Sequence, residues 1–123
     1  MLFRSVGLVL TPRDEAELIL PHLDHLDVVN VMTVDPGFGG QMFLHAMMPK
    51  VSKVREMIGQ RMIDLSVDGG ITVETAKLAG RAGADCFVAG TSVFKNETGN
   101  YEAAITALRE AAFTATQRLP ETV

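Results

Sequence analysis

The chain has 123 residues, a net charge of −4 and 47% hydrophobic residues. That length suits a single domain with an ample core, and no segment reaches the length of a membrane span. The charges are scattered, with no basic patch or aromatic-plus-arginine run, so neither nucleic acid nor a membrane is an expected partner.

The start, Met1 to Leu10, is short and holds Arg4 and Gly7, unlike a secretory signal. Within it, Val6 to Leu10 reads as a first strand closed by Thr11-Pro12. Asp14 to Leu26 has helical spacing at Leu18, Ile19, Leu23 and Leu26, and Pro21 predicts a break into two short helical pieces. Asp27 to Val34 is the second strand, and its run of Val28, Val29, Val31, Met32 and Val34 suits burial on both faces. A glycine loop follows, Pro36-Gly-Phe-Gly-Gly-Gln41. Pro49 to Arg61 predicts a helix with Val51, Val54 and Ile58 on one face. Ile63 to Val67 is the third strand, and Val73 to Ala82 a helix ended by Gly83. Cys86 to Ala89 is the fourth strand. Tyr101 to Ala112 is a terminal helix, with a polar tail from Thr114 to Val123 expected to fray. The lone Cys86 forms no intramolecular disulfide and suits a reducing, cytoplasmic compartment.

Strand and helix thus alternate four times, at spacings that suit parallel βα units. Such units close either as a small open sheet with helices on both faces or as half of an eight-stranded barrel. Periodicity does not separate the two. The clustering of Gly and Asp at successive strand C-termini favours the barrel, whose sites form from the βα loops at that end.

Three strand ends carry the chemistry: Val31-Met-Thr-Val-Asp-Pro-Gly-Phe-Gly-Gly-Gln41, Val67-Asp-Gly-Gly-Ile71 and Val88-Ala-Gly-Thr-Ser92. Glycine lets backbone N–H groups approach one anion closely, and one Gly per loop would meet the needs of a turn. Asp68 is either a turn-forming Asp before Gly69-Gly70 or an acid–base group on a phosphate-binding rim. Thr91 and Ser92 either donate hydroxyls to a phosphate or cap the next turn. Met32 reads more simply as core, Thr33 as a strand residue and Asp35 as a turn former, while Gln41 could fix the closed loop. His22, His25 and His45 fit no metal-ligand spacing and read as surface residues. Neither a nucleophilic triad nor a Walker-type lysine is present.

Taken in order and spacing, VMTVDPGFGGQ, VDGGI and VAGTSVF resemble the ribulose-phosphate 3-epimerase family from about Val6 to Leu108. The resemblance implies an α/β fold, the C-terminal half of a TIM (β/α)8 barrel with four βα units. Residues 1–123 would form that half, with an ordered core of about 6–112. The family's activity interconverts D-ribulose 5-phosphate and D-xylulose 5-phosphate, and D-allulose-6-phosphate 3-epimerases are close relatives that use the same loops. Other phosphate-binding barrels, such as thiamine-phosphate synthase, lack the pairing of PGFGGQ with VDGG.

By the same resemblance, Asp68 would be a ligand of a divalent metal (Zn, Fe, Mn or Co) and one of two carboxylates that move a proton through an enediolate. Gly37, Phe38, Gly39 and Gly40 would bind substrate and help close the site. Gly69, Gly70, Gly90 and Thr91 would hold the phosphate, and Met32 would lie under the substrate. The family's remaining ligands, two His and an Asp, and its second carboxylate come from early strands, and no His-x-Asp strand motif occurs here. Catalysis by this half alone is therefore not expected. A homo-oligomer or a complementary N-terminal half is the expected partner, beside the phosphorylated ketose. A non-catalytic sugar-phosphate-binding half-barrel is the alternative.

Overall fold

The computed structural model describes residues 4–37 and 41–116. Four strands, β1 (Gly7–Leu10), β2 (Val28–Met32), β3 (Asp64–Asp68) and β4 (Cys86–Val88), form one sheet in the order β1-β2-β3-β4. Every pair is parallel, and the register sets Met32 beside Asp68 and Asp68 beside Val88. A doubly wound sheet reverses its strand order at a switch point. Here each strand neighbours its successor, so crossovers of one hand carry all the connecting segments to a single face.

That face is the core. Leu10, Val29, Val31, Leu65 and Val67 are buried on it beneath a 3-10 segment (Ala16–His25) and the helices α1 (Met48–Ile58), α2 (Val73–Ala82) and α4 (Tyr101–Thr116). Each helix offers an apolar stripe to it: Val51, Val54 and Ile58 from α1, and the small residues Ala76, Ala79 and Gly80 from α2. The small stripe lets α2 pack closely on α4, whose Ala111 and Ala112 are also buried. The result is four βα units of a half (β/α)8 barrel, with the helix layer on one side only.

Among the described residues no helix covers the opposite sheet face, which corrects the expected burial of β2 on both faces. Along β2 the buried residues Val29 and Val31 alternate with half-exposed Val28, Asn30 and Met32. Two further expectations change. Residues Ala16–His25 form one continuous 3-10 segment that includes Pro21, not two helical pieces. The fixed φ of proline matches 3-10 geometry, so the ring is accommodated where an α-helix would kink. At the other end, α4 continues past Ala112 through Thr116, into the start of the tail expected to fray. Among the described residues no helix is long and apolar enough to cross a membrane.

Local chemistry fixes the remaining boundaries. Pro49 stands in the first turn of α1, where its missing N–H costs nothing, and Gly59 at φ +60° ends the helix. Thr72 and Thr75 cap α2 reciprocally, and Gly83 ends it at φ +121°. Lys50 on α1 donates to the carbonyls of Thr11, Pro12 and Asp14, holding the loop after β1 against the helix layer.

Candidate functional site

The strands β2, β3 and β4 end together, so the loops that follow them meet at one rim. Met32, Asp68 and Val88 form the last row across the uncovered face there. Asp68 points to that face because its neighbour Val67 is fully buried on the other. Above the row lies a cavity of about 650 Å³.

Seven residues singled out from sequence line this cavity together: Met32, Gly37, Asp68, Gly69, Gly70, Gly90 and Thr91. The other three, Phe38, Gly39 and Gly40, lie outside the described residues. Sequence reading did not single out Val34, Pro36, Ile71, Thr72 or Val88 as lining, yet they also border the cavity, as do Gln41 and Ser92. Most of these directly flank glycines already noted. The signal for Val88 was its register opposite Asp68, which exists only once the strands pair.

Gly69 and Gly70 occupy positions that other residues cannot. Gly69 has φ +126°, and a Cβ there would stand 2.5 Å from a Val34 methyl. Gly70 has φ +66°, and a Cβ would meet the Phe43 backbone nitrogen at 2.8 Å. A turn requires the first property; the second lets the two loops nest.

Hydroxyl groups hold this loop from behind. Thr33, fully buried, donates from Oγ1 to the Gly69 carbonyl at 2.5 Å. Thr75 Oγ1 donates to the Gly70 carbonyl at 2.7 Å, and Ser92 Oγ to the Ile71 carbonyl at 2.7 Å. The Ser92 hydroxyl is thus used between loops, and does not cap its own short helix, α3 (Thr91–Phe94). Thr33 also receives Leu44 N–H on its carbonyl and gives its own N–H to the Asp68 carbonyl. Gln41 donates from its side chain to the Asp35 carbonyl, across the glycine loop's two ends.

Among the described residues no donor reaches the Asp68 carboxylate, so its lone pairs are available toward the cavity. No group of three or more His, Cys, Asp or Glu residues gathers there or elsewhere among the described residues. His22, His25 and His45 are exposed, and His45 packs edge-on against Phe43. Asp68 alone does not constitute a metal site, so these residues do not by themselves fit the divalent ion that the sequence motifs imply. A second cavity, of about 550 Å³, lies between β4 and α4 and is lined mainly by apolar side chains such as Phe87, Val93, Leu108 and Phe113. It holds none of the glycine-rich strand ends.

Comparison with known proteins agrees with this arrangement. Residues 4–94 match the family model described as the ribulose-phosphate 3 epimerase family. The chain is 47% identical over 110 residues to a ribulose-phosphate 3-epimerase of Rhodobacter capsulatus, covering 86% of this chain and 48% of the relative. It is 44% identical over 93 residues to the Bacillus subtilis protein of that name, covering 73% and 43%. The protein of that name from Schizosaccharomyces pombe is 40% identical over 115 residues, covering 94% and 49%. The chain therefore spans about half the length of the curated relatives it matches, and with four βα units, a glycine-lined rim and these relatives it belongs to the ribulose-phosphate 3-epimerase family.

Proposed function

We propose that this chain supplies the C-terminal half of a sugar-phosphate 3-epimerase site that interconverts D-ribulose 5-phosphate and D-xylulose 5-phosphate. The observation that carries the reading is the placement of Asp68, in register between Met32 and Val88, under a cavity rimmed by glycines from three strand ends.

The reaction defines what such a site must do. The hydrogen on carbon 3 lies next to a ketone. Its removal leaves the C–H electron pair in an enediolate, and return of a proton to the other face inverts the carbon. Asp68 acts as a base or acid on one face, with its lone pairs directed into the cavity. The amides of Gly70 and Ile71 bind the phosphate, joined by Gly90 and Thr91 at the neighbouring strand end, and so fix carbon 3 relative to Asp68. Gly37 borders the sugar, and Met32 provides an apolar surface beneath it.

One carboxylate serves one face. The second base, and the donors that would complete a divalent-metal site with Asp68, must come from a complementary half. That half also covers the exposed sheet face, where Asn30 Oδ1 has no hydrogen-bond partner among the described residues. Because Asp68 is the only carboxylate among the described residues lining the cavity, a second reading follows: the chain by itself binds sugar phosphate without turnover.

The test is to co-express the chain with the half of the Rhodobacter capsulatus relative that it does not match, and to assay epimerisation. Activity is expected in the complemented sample, with Asp68→Asn lowering kcat by about 100-fold or more. A well-formed complex without activity removes the catalytic reading. Heat on titrating the chain alone with ribulose 5-phosphate supports the binding reading, and none at millimolar ligand removes it.

A further inference from the structure

We propose that Thr33, Thr75 and Ser92 are positioning residues that preset the Gly69-Gly70-Ile71 loop for an anion by holding its three consecutive carbonyls. The proposal rests on the reading of that loop as the phosphate site. It assigns roles to hydroxyls whose sequence reading was that of a strand residue, a helix residue and a capping alternative.

In a planar trans peptide, the carbonyl and the following N–H point in opposite directions. Holding the Gly69 carbonyl with Thr33 therefore aims the Gly70 N–H away from Thr33, and holding the Gly70 carbonyl with Thr75 aims the Ile71 N–H. Ser92 holds the Ile71 carbonyl, but the Thr72 N–H that this orients is consumed by Thr75 Oγ1 at 2.7 Å. Two of these amides are left, Gly70 and Ile71, in residues that line the cavity, and neither has a hydrogen-bond acceptor among the described residues. Two adjacent amides suit the oxygens of one phosphate.

The need for anchors is specific to this loop. Gly69 and Gly70 at φ +126° and +66° have no side chain to restrict them, so sterics alone do not hold one conformation. The anchors come from the residue just after β2, from α2 and from α3, three separate parts of the fold that converge on one tripeptide. Thr33 is fully buried and cannot touch a ligand, so any effect of its hydroxyl on binding acts through the loop.

The experiment is a titration of the isotope-labelled chain with inorganic phosphate, followed at the Gly70 and Ile71 amide resonances, for wild type, Thr33→Val, Thr33→Ser and Ser92→Ala. Phosphate is expected to shift both amides in the wild type. Thr33→Val and Ser92→Ala should weaken binding about fivefold to tenfold, and Thr33→Ser should restore it to within about twofold. Folded Thr33→Val or Ser92→Ala protein that binds like wild type overturns the positioning role while leaving the phosphate site in place. Equal loss in Thr33→Val and Thr33→Ser marks a packing role and also overturns it. If Thr33→Val does not fold, Ser92→Ala, at a half-buried side chain outside the core, decides. Wild-type protein whose Gly70 and Ile71 amides ignore phosphate overturns the phosphate reading itself.

Discussion

Two aspartates near the rim show how neighbours assign work to the same side chain. Asp14 accepts hydrogen bonds from Thr11 N–H at 2.8 Å and from Thr11 Oγ1 at 2.9 Å, and faces the Lys50 ammonium. Those bonds, the backbone one foremost, hold its carboxyl below the ordinary value of 3.8. Asp68 spends no lone pair on a described residue, and so keeps them for the cavity. The consequence for Asp14 concerns stability. A group whose folded pKa is depressed stabilises the fold at pH above its unfolded value, and that contribution is lost as pH falls through the folded one. Asp14→Asn should therefore lower the melting temperature at pH 6, and the gap to wild type should begin to narrow below about pH 4 and close as pH falls through the lowered folded value. Melting curves of both proteins across that range check this, and parallel profiles would contradict it. Glu17, lowered by its hydrogen bond with Lys53, belongs to an exposed ion pair and adds little.

At the scale of elements, α2 is the helix most completely written in the sequence. Thr72 receives Thr75 N–H on its hydroxyl at 3.2 Å, and Thr72 N–H reaches Thr75 Oγ1 at 2.7 Å. Thr72→Ala removes half of that box and should cost about 1 kcal/mol, measured as a lower urea midpoint with unchanged slope. The sequence placed Val73–Ala82 to the residue with Gly83 as its stop, while the threonine pair at the other end went unread although it is just as local. Where signals were short or distant, legibility stopped. The four residues of α3 and the three of the 3-10 turn His45–Met47 are too few to show a period. In β2 apolar residues occupy both parities, with Asn30 alone interrupting, so the sequence did not reveal that one face is open. The glycine-bearing strand ends and Asp68 were legible because each sits next to its own strand. The hydroxyl anchors were not, because Thr33 and Gly69 lie 36 residues apart, and Ser92 and Ile71 lie 21 apart. Those contacts exist only after β2, β3 and β4 have found their order.

At the scale of the whole molecule, the uncovered sheet face governs behaviour. It carries the row Val9, Asn30, Ser66 and Cys86 and, toward the rim, Met32, Asp68 and Val88. Val9 on one edge strand is 56% exposed and Val88 on the other is 46% exposed. Both edges offer unpaired backbone groups of parallel strands, and apolar surface next to open edges drives association. The chain alone should therefore sediment as a dimer or larger species at micromolar concentration. Val9→Lys combined with Val88→Lys should shift it toward monomer, because these side chains lie outside the core and a charge on each edge opposes burial of the face. Cys86 provides an independent readout, since it is exposed within the same face. Its reaction with a thiol reagent should be fast in the Val9→Lys, Val88→Lys chain and slow when the face is covered, by self-association of the wild type or by the unmatched half of the Rhodobacter capsulatus relative. A wild-type chain that stays monomeric, with Cys86 reacting equally fast in the presence of that half, would mean that this face is stable in water and needs no second half to cover it.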